Sequence, residues 1–125
     1  MGQLEDATAR SRRLLREARA RSRGRYHSQY YRVSWHKRRE TWRTKVKVRN
    51  SEGKDIEFYK AFDDEKVAAA VADIVAMIVM PDPRRLNFDW SHGENHLPDD
   101  ISVNQVYQWV VLAGMPIVRQ PGKMR

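Results

Sequence analysis

Arg43, Lys45, Lys47 and Arg49 take every second position of one segment, with Trp42, Thr44, Val46 and Val48 interleaved between them. Alternate side chains of an extended chain point to opposite faces, so like residues repeat every ~6.6 Å along each face. One face then carries four cations and the other an apolar row. Successive phosphates on a nucleic-acid strand lie about 6–7 Å apart, so such a row can follow a phosphate backbone. A face that is merely solvated mixes both signs of charge. This one is expected to contact phosphate.

Further cations extend the same chemistry. Arg32, Lys37, Arg38 and Arg39 precede the row, with the polar Ser34 and His36 among them. Upstream, Arg10, Arg12, Arg13, Arg16, Arg19, Arg21, Arg23 and Arg25 make a dense arm in which Glu17 is the only acid. That imbalance reads as a nucleic-acid tether rather than a solvated helix. Residues 1–50 hold 16 Lys/Arg against 4 Asp/Glu, and residues 51–125 hold 8 against 12, so the net charge of +8 belongs to the first half. Such a charge attracts polyanions without choosing among DNA, RNA and acidic membranes. Tyr31, Trp35 and Phe58 are candidates for stacking on an unpaired base, an interaction worth ~1–3 kcal/mol. Trp35 and Trp42 also suit the sheet core or its rim.

Other chemistries find no support. The chain has no cysteine, which excludes disulfides and thiolate zinc sites. His92 and His96, with Asp89 and Glu94 nearby, lie in a loop bearing Gly93 and Pro98 and share no helix face. No metal site, cofactor or catalytic residue is expected. There is no Gly-rich phosphate loop, no HExxH and no Gly-x-Ser-x-Gly, so the chain reads as a non-enzyme. Its longest apolar run, Val67 to Met80, has 14 residues and contains Asp73, too short to span a bilayer; no membrane partner is expected.

The elements that position these residues follow from periodicity. Residues 3–22 read as a helix within a basic arm spanning 1–29. Residues 30–37, 42–49 and 55–62 read as three strands in hairpin succession, with Arg38, Arg39 and Glu40 at the first tip and residues 50–53 at the second turn. Asp64 caps a helix that runs to Met80 and stops at Pro81. Val67, Val71, Ile74 and Ile78 form its stripe, yet Val75, Met77 and Val79 are apolar too. A helix so oily needs a second packing partner, either the C-terminal segment or another protein. Ser102 and Gln105 mark a capping box opening a last helix, closed by Gly114 and Pro116. The expected fold is α+β: a three-stranded antiparallel sheet packed on one amphipathic helix, with a basic helical arm before it and an extra C-terminal helix. Residues 30–88 form the domain proper, and residues 89–125 supply a loop, that helix and a basic tail.

Several residues within 30–88 fall in a familiar order. Tyr31–Arg32–Val33–Ser34–Trp35–His36–Lys37 is followed by Trp42–Arg43, then Phe62–Asp63, Glu65, Ala68–Ala69, Asp73, Ala76 and Leu86–Asn87–Phe88. This stretch resembles the Apetala-two/ethylene-response-factor DNA-binding domain. The resemblance implies a three-stranded sheet on one helix, with the sheet in the DNA major groove. It also implies base reading by arginines and tryptophans on the first strand and by a charged pair on the second. The pair falls here on Lys45 and Lys47. The first-strand arginine positions fall on Tyr31, Ser34 and His36, and the third-strand positions on Ile56 and Phe58. Two glycines of the pattern are Arg32 and Lys60, and a helix tyrosine is Ala72.

Arginine reads guanine bidentately, whereas lysine acts as a point charge on phosphate. The charge has stayed while much of the base-reading chemistry has gone. The expected function is therefore that of a structural RNA-binding protein, an rRNA-binding subunit of an organellar ribosome, with the mitochondrion suggested by the Arg-rich N-terminus. Neighbouring proteins are expected against helix 64–80 and the C-terminal segment. The alternative is a nuclear, sequence-specific DNA-binding transcription factor.

Overall fold

The computed structural model describes residues 10–14 and 27–123. Residues 10–14 are helical, and the rest of the helix expected over 3–22 lies outside the described residues. The fold is α+β. Three strands, β1 (Val33–His36), β2 (Thr41–Arg49) and β3 (Asp55–Phe62), form one antiparallel sheet in sequence order. Helix α1 (Glu65–Val79) packs across it, and α2 (Val103–Leu112) follows a long loop.

Strand β1 starts three residues later than periodicity suggests. Arg32 has φ 63°, in the left-handed region, which interrupts an extended ladder. Its guanidinium donates to the carbonyls of Arg84 (2.9 Å) and Arg85 (3.2 Å), and Tyr31 exchanges two backbone bonds with the Asn87 amide at 2.6 and 3.0 Å. Contacts more than fifty residues away thus override a local strand preference.

Both helix starts are built as their cap residues dictate. The Asp64 carboxylate accepts from Lys66 N (2.7 Å) and Val67 N (3.3 Å). Ser102 and Gln105 bond reciprocally at 3.1 and 3.0 Å, satisfying two of the first-turn donors of α2. Gly114, at φ 73°, ends α2 with Gly114 N on Val111 O and Met115 N on Val110 O, a Schellman closure that turns Met115 into the core.

The core has two sides, with α1 between them. On one side Trp42, Val46 and Phe58 of the sheet are buried against α1, where Ala68, Ala69 and Ala72 share a face and are small enough to permit close approach. There the buried Thr44 hydroxyl donates to Ala68 O at 2.6 Å, locking strand to helix. On the other side Leu97, Val106, Val110 and Met115 pack on Ile74, Val75 and Ile78. The choice left open by the oily helix is decided within the chain: its second partner is the C-terminal segment. The expectation of neighbouring proteins against helix 64–80 is corrected accordingly, because 11 of its 15 residues are buried by the chain itself.

Asp73 is fully buried on α1 and organises the loop that leaves it. Its carboxylate accepts from Asn87 N (2.8 and 2.9 Å), Asn87 Nδ2 (3.1 Å), Phe88 N (2.9 Å) and the Trp90 indole (2.9 Å). A buried carboxylate is tolerated when its lone pairs are so fully used. The far end of α1 is closed by Arg119, which donates to Met77 O (3.0 Å), Met80 O (2.6 Å) and Pro81 O, a cation at the negative end of the helix dipole. Among the described residues no helix is long and apolar enough to cross a membrane.

Candidate nucleic-acid interface

The face of the sheet turned away from α1 is set by register. Arg43 pairs with Ser34 on β1 and Ala61 on β3, Lys45 with Tyr59, Lys47 with Glu57, and Arg49 with Asp55. Directly paired residues share a face. Trp42, Thr44 and Val46 are buried beneath, while Lys45, Lys47 and Arg49 are exposed and Arg43 is half-buried. The four cations of β2 do share one side. Lys37, Arg38 and Arg39 adjoin the Arg43 end, exposed on the hairpin tip. That tip closes with Glu40 N on His36 O (2.8 Å) and Arg39 N on His36 Nδ1 (3.2 Å), so His36 shapes the turn.

The row is not uniform. Asp55 takes both Lys47 (3.4 Å) and Arg49 (3.5 Å), and Glu57 lies directly across from Lys47. Such exposed pairs contribute only ~0–1 kcal/mol, so they are easily exchanged, but they lower the local positive potential. Among the described residues Lys37, Arg38, Arg39, Arg43 and Lys45 form no ion pair. The cations without an ion pair among the described residues therefore gather toward the hairpin end.

Between these two ends lies Tyr59, 45% exposed. Its hydroxyl donates to Glu57, its ring carries the Arg43 guanidinium at 4.8 Å, and the Lys45 ammonium stands 5.8 Å from its centroid. The bond to Glu57 is the main reason the phenol titrates above the ordinary tyrosine range, with Glu57 repulsion adding and Arg43 opposing. Beside this group, Ser34 Oγ, Thr41 Oγ1 and Arg43 Nε are shielded and have no hydrogen-bond partner among the described residues.

Several expected contacts are placed elsewhere. Phe58 is 2% exposed and faces α1, so it is core and not a stacking platform. The register sets Trp35 opposite Trp42, where the rings meet edge to face at 5.0 Å on the helix side. Arg32 is corrected from a phosphate ligand to a structural residue, its fork held by the carbonyls of 84 and 85; half-burial lowers its pKa and Asp73 opposes that. Tyr31 is half exposed but lies beside the sheet rather than on it. Arg10, Arg12 and Arg13 are exposed on the short helical stretch, whereas Arg16, Arg19, Arg21, Arg23 and Arg25 lie outside the described residues. Tyr59, Asp55 and Glu57 went unrecognised, although the same alternation that places Phe58 inward points all three outward.

The remaining polar clusters do not converge. His96 stacks on Phe88 (4.9 Å, 14°) and bonds Asp89 O at 2.7 Å, while His92 reaches Asp89 at 3.5 Å. No group of three His, Cys, Asp or Glu side chains suited to a metal occurs among the described residues. An open groove of about 960 Å3 lies on the α2 side of α1, lined by Ile74, Met77, Trp90 and Val103, apart from the cations of the sheet. No family model, curated protein or solved structure matches the chain.

Proposed function

We propose that this protein binds nucleic acid through the outer face of its sheet, as a structural RNA-binding subunit of a ribonucleoprotein. The observation that carries the reading is the set of cations on and beside β2 that form no ion pair among the described residues: Arg43 and Lys45, with Lys37, Arg38 and Arg39 at the adjoining tip. An RNA target is favoured because the first-strand positions that would fork onto guanine hold Ser34 and His36, and lysines supply point charges for phosphate. Arg32, where the resembled DNA-binding family carries glycine, has the positive φ that suits glycine. In this proposal the RNA is ribosomal and the compartment the mitochondrion. Val111 and Leu112, left exposed at the end of α2, face a neighbouring protein.

One observation favours the rival, a DNA-binding transcription factor: Arg43 keeps an arginine fork on the outer face of a sheet of a size to enter a major groove. Crosslinking in cells followed by sequencing separates the two. Recovery of ribosomal RNA supports the proposal, and recovery of promoter DNA overturns it in favour of the rival.

A further inference from the structure

We propose that the outer face accepts an unpaired nucleotide, its base on the Tyr59 ring and its flanking phosphates on Arg43 and Lys45; this rests on the nucleic-acid reading above. Within the three strands Tyr59 is the one aromatic residue turned away from α1, since Trp35, Trp42, Phe58 and Phe62 share the inner register. Its environment is built rather than incidental. The hydroxyl is tied to Glu57, and two cations bracket the ring from the neighbouring strand. These contacts bias the ring toward one orientation, which favours a stacked ligand.

The surroundings also make room. On the β3 side Arg43 neighbours Ala61, which is small and exposed, so the sheet is low there. In the free protein the guanidinium lies over the ring, at the distance of a cation–π contact. A base arriving on that ring face displaces the guanidinium sideways, over Ala61, toward the adjoining phosphate. The cation then exchanges a ring for an anion, and the ring exchanges a cation for a base.

The nucleotide must be unpaired because a base inside a duplex has both faces covered by its neighbours. A side chain on a broad sheet cannot insert there without unstacking the helix. Every base has a π-face, so the seat takes any sequence. It selects strandedness.

The test uses the full chain with a fluorescein-labelled 12-nucleotide single-stranded RNA and the blunt duplex of the same sequence. The wild type is expected to prefer the single strand. Tyr59→Leu keeps bulk but removes the π-face, and is expected to lose ~5- to 150-fold affinity for the single strand, matching the range for one stacked base. Its duplex affinity stays unchanged, and Tyr59→Trp retains or strengthens single-strand binding. Equal losses on both probes, or no loss on either, overturn the stacked seat while leaving nucleic-acid binding intact. No binding of the wild type to either probe overturns the underlying reading as well. Far-ultraviolet circular dichroism and thermal melts of both variants confirm that this half-exposed position tolerates the change.

Discussion

The Asp55 carboxylate lies 3.4 Å from the Lys47 ammonium, on the adjacent strand, within the row of cations proposed to meet nucleic acid. It also holds Arg49 at 3.5 Å. An acid in this position competes with phosphate for both cations. Asp55→Asn is therefore expected to raise RNA affinity about 2- to 5-fold at low salt, with a change in stability below ~1 kcal/mol, as befits an exposed pair. Filter binding alongside a thermal melt checks it, and a fall in affinity contradicts the competition.

The double variant Lys45→Glu with Lys47→Glu is expected to abolish binding in a protein that still folds, because both side chains are exposed and carry no core contact. The milder pair Lys45→Gln and Lys47→Gln reports on counterions. Loss of two phosphate contacts reduces the slope of log K against log salt by about 1.4–1.8. Titrations between 50 and 200 mM salt, a range in which such slopes are usually read, give the number. An unaltered slope removes β2 from the interface.

Asp73 concentrates more hydrogen bonds than any other side chain of α1, and it is itself fully buried. Asp73→Ala strands the donors of Asn87, Phe88 and Trp90. The expected cost is about 3 kcal/mol or more, read from urea denaturation. A loss under 1 kcal/mol means that the loop finds other partners.

Arg32 combines an unfavourable backbone with favourable side-chain bonds. At φ 63° a side chain costs ~1–2 kcal/mol that glycine avoids. Both Arg32→Ala and Arg32→Gly lose the bonds to the carbonyls of 84 and 85, but only glycine relieves the backbone. Arg32→Gly is expected to be the more stable of the two by about 1 kcal/mol. Guanidinium melts of the pair decide it, and the reverse order refutes strain at this position.

Much of the architecture was legible because the signals are local. Alternation over 42–49 determined which side chains of β2 go in and which go out. Asp64 and Ser102 announced their helices because each cap bonds within three residues of itself. What escaped depended on distant partners. The start of β1 is set by carbonyls 52 and 53 residues downstream, and the acids beside Lys47 and Arg49 become neighbours only through the β2–β3 register. The type of Phe58 alone suits either a surface ring or the core. Only the faces of adjacent Phe58 and Tyr59, read against β2, assign one to the core and the other to the outside.

Behind the outer face, Thr44 is bonded to Ala68 O at 2.6 Å, one residue from both Arg43 and Lys45. A strand fastened to its helix at that point makes a stiff anvil. In the proposed complex, shape adjustment on docking then falls to the flexible strand laid upon it. Association should accordingly keep pace with how fast that strand opens its own bases, and hardly at all with motions of the protein.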